Sequence, residues 1–207
     1  MRWLVCALAL CLDAGVSFAG AQREEFLADS VRTALFASVA ESTTDAPPDL
    51  VHSNANAERV FDSWLSNADA RLARQIKTLP HELTQANLRR EFLQTVWYES
   101  QRAGLPPDLV LGLIQVESGF RKFAISRAGA RGYMQVMPFW TRVLSDGDAS
   151  QLFHAQANVR FGCVILRHYL NLEHGDLALA LSRYNGSRGQ SAYPTAVLSA
   201  SKAWRPS

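Results

Sequence analysis

The sequence predicts a mainly helical protein, and three observations carry that prediction. Apolar residues recur at helical steps in successive windows, and helix start and stop residues bracket the strongest of them. No segment alternates with the period of two that a half-buried strand needs, apart from a few residues near Tyr133 to Val136.

Taken in order, Gln22 to about Ser42 carries Phe26, Leu27, Val31, Leu35 and Val39 at steps near four, a first helical stripe. The stretch STTDAPPDLVHSNANAE, residues 42–58, collects proline, serine, threonine and asparagine and reads as a linker. Helical signal returns with Val60, Phe61, Trp64, Leu65, Ala68 and Leu72. From Thr84 the pattern strengthens: Leu88, Phe92, Leu93, Val96 and Trp97 form one face, and Gly104 is placed as a stop. Pro106, Pro107 and Asp108 then start a new helix. Further on, Val159, Gly162, Cys163, Leu166 and Leu170 make another stripe, and Asp176 caps a helix carrying Leu177, Leu181 and Tyr184. The chain divides into residues 1–21, a helical N-terminal region 22–83 and a main domain 84–207.

Residues 1–21 read as a secretory signal peptide: Arg2, the apolar run Trp3 to Leu12, then small residues around Ala19-Gly20-Ala21. The run is about half of what spans a bilayer, and Asp13 interrupts it. Cleavage would remove Cys6 and Cys11 and leave only Cys163, so no disulfide within one mature chain is expected. The expected location is periplasmic or secreted. With 48% apolar and 19% charged side chains and a formal charge of +2, the composition is that of an ordinary globular protein with no basic arm for nucleic acid. No HExxH spacing or Cys-His cluster occurs, so neither a metal nor a cofactor is expected. Cys163 reads as core packing.

One residue stands out against this background. Val110, Leu113, Ile114 and Glu117 fall at i, i+3, i+4 and i+7, so Glu117 continues a buried face, and Gly119 ends the helix just after it. Burial and the negative helix end both disfavour the carboxylate, and desolvation has to supply most of the effect. A carboxyl protonated near neutral pH is what a general acid needs against a poor leaving group such as a sugar oxygen. The alternative on spacing alone is a helix-end residue paired with Arg121 or Lys122.

Beyond spacing, the strings ESGF and AISRAGARGYMQVMP resemble the soluble-type lytic transglycosylases, in Glu117 to Phe120, then Ala124, Ser126, Gly129, Ala130, Gly132, Met134, Gln135, Met137 and Pro138. Tyr133 departs from the usual leucine. Asn158-Val159, Gly162 and Tyr169-Leu170 are similar to a second block of that family, with His154-Ala155 in place of an aspartate-proline pair, and Arg183-Tyr184-Asn185-Gly186 is similar to a third. The resemblance covers roughly Leu88 to Val197 and says nothing about the region before Leu83.

It implies a lysozyme-like fold and cleavage of peptidoglycan glycan strands between N-acetylmuramic acid and N-acetylglucosamine, leaving 1,6-anhydro ends, with Glu117 as acid and then base. The inventory agrees on one point: ordinary glycoside hydrolysis uses two carboxylates, yet no Asp or Glu lies between Glu117 and Asp146, and Asp146 and Asp148 read as a turn or helix cap. The resemblance makes Glu117 the partner of the inward Tyr184 hydroxyl, the alternative being a purely packed aromatic. The Gly129 and Gly132 region is expected to let the backbone turn tightly against a glycan, with Gln135 and Met134 facing it and the Ser126 hydroxyl placed to meet the catalytic group or a sugar; the alternative is a structural loop with an outward Gln. Asn185 would hold an acetamido or peptide group, or else form an Asn-Gly turn. Ser118 is expected to tie backbone. A lysozyme-type hydrolase and a non-catalytic glycan-binding module stay open as alternatives. A monomer is expected, with cell-envelope machinery as a further partner.

Overall fold

The computed structural model describes residues 22–40, 55–75 and 79–205. The signal-peptide expectation for residues 1–21 and most of the linker expectation lie outside these residues; the linker's last residues, 55–58, form the first turn of a helix. The described residues form eight α-helices in this order: α1 (Asp29–Ala40), α2 (Ala55–Arg74), α3 (Ala86–Arg102), α4 (Pro107–Ser118), α5 (Phe139–Leu144), α6 (Ala155–Leu172), α7 (Leu177–Tyr184) and α8 (Ala192–Trp204). Short 3-10 turns cover His81–Thr84 and Ala149–Phe153. The suspected strand signal amounts to two isolated bridges, Ile125 with Arg131 and Arg131 with Val136. The mainly helical class predicted from the sequence is the class observed.

Helix α4 lies at the centre. Pro107 occupies its first turn, where a missing N–H goes unnoticed, and Val110, Leu111, Leu113 and Ile114 are all 0% exposed. A helix apolar all round has to be surrounded, and α8 supplies the closest cover. Gly112 permits it, because a Cβ there would come within 2.5 Å of the Ser201 backbone nitrogen. Two side-chain bonds fix the register: Trp204 Nε1 donates to Gln115 Oε1 at 2.8 Å, and Ser201 Oγ donates to Asp108 at 3.2 Å.

Helix α3 packs on α4 and α7 on α8, and α6 lies against both α3 and α7. Helix α2 packs on α3 through Phe61 and Trp64 against Trp97, at ring separations of 5.4 and 5.0 Å. Between α3 and α6 lies a buried ion pair, Glu99 with Arg160 at 2.7 Å. Such a pair survives away from water only because its atoms are matched; Arg160 Nε also bonds both Glu99 oxygens. Arg102 and Arg160 donate to the Ser38 and Val39 carbonyls and thereby cap the C-terminal end of α1.

The first predicted stripe is only half realised. Helix α1 begins at Asp29, and Phe26 and Leu27 belong to an extended segment, residues 22–28, with Phe26 98% exposed. A stripe of four-residue steps does not by itself nucleate a helix, whose first turn fixes several residues for one bond.

Candidate active site

Glu117 occupies the last turn of α4, where the sequence places it. Gly119 is left-handed at φ 56° and its N–H closes the helix on the Gln115 carbonyl, while Ser118 Oγ donates to the Ile114 carbonyl at 3.1 Å. Among the described residues Glu117 makes no ion pair, so the pairing with Arg121 or Lys122 is not formed. Among the described residues its one side-chain hydrogen-bond partner is neutral: the Tyr193 hydroxyl, from α8, donates to Glu117 Oε1. Burial lifts the Glu117 carboxyl to about 8, and the Tyr193 hydrogen bond pulls the other way because it favours the charged form. Burial, and then the neighbouring Glu117, push the Tyr193 phenol well above its usual range, so it remains a donor.

Tyr184 requires a correction. It is fully buried, as its spacing predicts, yet its hydroxyl donates to the Met134 carbonyl at 2.8 Å, and the tyrosine that bonds Glu117 is Tyr193. Tyr184 still lies close by: burial, followed by the charge of Glu117, raises its phenol. It holds the wall of the site in place.

That wall is the irregular loop between α4 and α5. Asn158 of α6, fully buried, clamps it by donating Nδ2 to the Arg131 and Leu152 carbonyls at 2.8 Å each and accepting the Met134 N–H at 2.7 Å. Gly132 is required by this clamp, since a Cβ there would collide with Asn158 and the Leu152 carbonyl. Its role is packing against the protein's own α6, which corrects the expectation that it turns against a glycan. Met134 is likewise corrected: it is 0% exposed, with its side chain against Gly162. Gln135 is left-handed at φ 50°, and its carboxamide nitrogen donates to the Ala124 and Gly132 carbonyls at 3.2 and 2.9 Å, so that group braces the loop. The Ser126 hydroxyl accepts the Ala130 N–H at 3.1 Å, within its own turn, where meeting the catalytic carboxyl was one expectation.

Asn185, directly after Tyr184, is 5% exposed, and its Nδ2 has no hydrogen-bond partner among the described residues. A buried unpaired donor is costly, on the order of 1–3 kcal/mol, unless something binds it. Asp148 accepts the Ser150 N–H and caps a 3-10 turn, as the sequence suggests. No group of three or more His, Cys, Asp or Glu side chains among the described residues is arranged to hold a metal ion.

The model of the Transglycosylase SLT domain matches residues 94–200, just over half of the 207. The chain belongs to the SLT transglycosylase family. It is 35% identical over 85 residues to membrane-bound lytic murein transglycosylase C of Actinobacillus pleuropneumoniae, covering 37% of this chain and 23% of that protein. It is 32% identical over 100 residues to a transglycosylase of Enterobacteria phage PRD1, covering 48% of this chain and 36% of that protein. The chain therefore spans roughly a quarter to a third of these curated relatives. An inactive variant of lytic transglycosylase Slt from Pseudomonas aeruginosa superposes with a TM-score of 0.50 at 21% identity, over 90% of this chain and 38% of that one, a likeness of fold.

In this SLT domain the part that sequence reasoning missed is Tyr193. The signal existed: Tyr193, Val197, Ser201 and Trp204 recur at steps of four, four and three, and all are buried. The arrangement offers one protonated carboxyl, held by a neutral phenol, beside a braced loop and an unpaired amide donor. It is equipped to give a proton and take it back.

Proposed function

We propose that the protein is a lytic transglycosylase acting on peptidoglycan in the bacterial cell envelope, with Glu117 as its single acid and base. The observation that carries this reading is a lone carboxyl raised to about 8 at the end of α4 and hydrogen-bonded by Tyr193, within a family of transglycosylases. Protonated Glu117 gives its proton to the bridging oxygen as the C1–O bond breaks. The muramyl 6-hydroxyl then attacks C1, and its proton returns to the Glu117 carboxylate. The products are a 1,6-anhydro end and a new 4-hydroxyl; no water is consumed, and the enzyme ends as it began.

A nucleophile already carried by the substrate is held in place without a second carboxylate, which is the gain that intramolecularity supplies. Tyr193 stabilises the carboxylate during the interval between the two proton transfers. Asn185, with a buried unpaired donor, is suited to an acetamido or peptide carbonyl of the strand. Gln135, Met134 and Ser126 contribute through the shape and backbone groups of the loop.

Digestion of purified sacculi tests the proposal, with product ends read by mass spectrometry. Anhydro-muramyl ends are expected from the parent chain and none from Glu117→Gln. Reducing ends would identify a hydrolase, and no products from the parent would leave a glycan-binding module.

A further inference from the structure

The extended segment before α1 is held against the site by contacts that neither packing nor the proposed chemistry requires. Gln22 is 4% exposed, although Arg23, Glu24, Glu25 and Phe26 beside it are exposed. Its carboxamide makes a complementary pair with the loop backbone: Nε2 donates to the Gln135 carbonyl at 3.3 Å, and Oε1 accepts the Met137 N–H at 3.0 Å. The same side chain reaches the phenol of Tyr184, the residue that holds Met134 and feels the charge of Glu117. Two ion pairs tether the neighbours: both Glu25 oxygens lie 2.9 Å from Arg183 Nη1 on α7, and Glu24 lies 3.6 Å from Arg142 on α5.

A carboxamide that donates to a carbonyl and accepts from an N–H uses the same two groups that an acetamido substituent presents. The loop backbone at Gln135 and Met137 is thus already matched to an N-acetyl amino sugar, and the chain's own glutamine holds it. The tethers are weak by construction. Glu24 and Arg142 are each 61% exposed in their side chains and Glu25 is 41% exposed, and ion pairs in such positions contribute little and are screened by salt. Together they make an occupant that is bound and displaceable.

We propose that residues Gln22–Glu25 form a strap that occupies the glycan cleft in place of an N-acetyl amino sugar and must leave before a strand binds. The inference rests on the proposed function, since it takes the cleft beside Glu117 to be the glycan site. A binding site free only part of the time weakens apparent affinity by that fraction, so loosening the strap tightens glycan binding with no new contact to the glycan.

The test is titration calorimetry with the uncharged N-acetylglucosamine tetramer on the full chain carrying Glu117→Gln, which prevents turnover. Adding Gln22→Ala is expected to tighten binding roughly tenfold. Glu24→Ala with Glu25→Ala, which leaves Gln22 in place, is expected to give a smaller gain. Raising the salt concentration is expected to tighten binding by the chain with an intact strap more than by either strap variant. Circular dichroism checks that each variant is folded. Unchanged or weaker binding in folded Gln22→Ala would overturn the strap while leaving the functional reading intact, because the glutamine would then be part of the glycan site or irrelevant to it. Absence of binding by every variant would overturn the functional reading and the strap together.

Discussion

Tyr193, near the start of α8, donates its hydroxyl hydrogen to Oε1 of Glu117, at the end of α4, across 76 residues of chain. The bond joins the two helices at the half-buried Glu117 side chain, and it opposes the effect of desolvation on the carboxyl.

Tyr193→Phe removes a bond that favours the ionised carboxylate. The Glu117 carboxyl is then expected to ionise above about 8, and the alkaline limb of kcat/KM, which follows the loss of the general acid, moves to higher pH. The maximal rate is expected to fall on the order of 10–100-fold, because the carboxylate formed mid-reaction loses its donor. A pH–rate profile of both proteins on sacculi checks each effect.

Glu117→Gln changes the pH dependence of stability as well as activity. The unfolded glutamate ionises near 4.5 and the folded one at about 8, so between these values the folded state holds the extra proton. Stability is therefore greatest at the acid end of that window and falls as pH rises through it, by at most about 1.4 kcal/mol per pH unit. Glutamine has no such slope. Melting curves from pH 5 to 9 are expected to show the variant gaining on the parent as pH rises.

Gly112→Val places a side chain where the Ser201 backbone lies. Overpacking of this kind costs on the order of 1–3 kcal/mol, and it also shifts α8 and with it Tyr193. A lower Tm with a displaced alkaline limb is expected, whereas a purely structural defect would lower Tm alone.

Asn185→Ala removes a buried donor that has no partner among the described residues. Stability is expected to stay within about 0.5 kcal/mol of the parent or to rise, while KM for glycan increases roughly tenfold or more. By contrast, Asn158→Ala breaks three bonds of the loop clamp and is expected to lower Tm and activity together. Parallel melting and kinetic measurements separate the two asparagines.

How far the sequence could be read depended on whether periodicity reached the residue in question. Glu117 was legible because α4 is regular and its apolar stripe runs to Gly119. Tyr184 was legible as inward-facing but not as bonded to Met134, because the acceptor is a backbone atom in a loop with no period. The directions of Met134 and Gln135 depend on a left-handed Gln135 and on the Asn158 clamp, neither of which leaves a pattern in neighbouring residues. Tyr193 carried a regular stripe, but its pairing with Glu117 depends on the crossing of α4 and α8 at Gly112. Phe26 and Leu27 show the opposite failure: they sit on a stripe and lie outside the helix.

The most direct test of the central claim is the ionisation of Glu117 itself. Carbon NMR of protein labelled at the glutamate carboxyls, titrated with pH and assigned by the resonance missing in Glu117→Gln, reads it without substrate. A midpoint at about 8 is expected. A midpoint near 4.5, the ordinary glutamate value, would contradict it, because the residue would then be an ion at neutral pH with no proton to give.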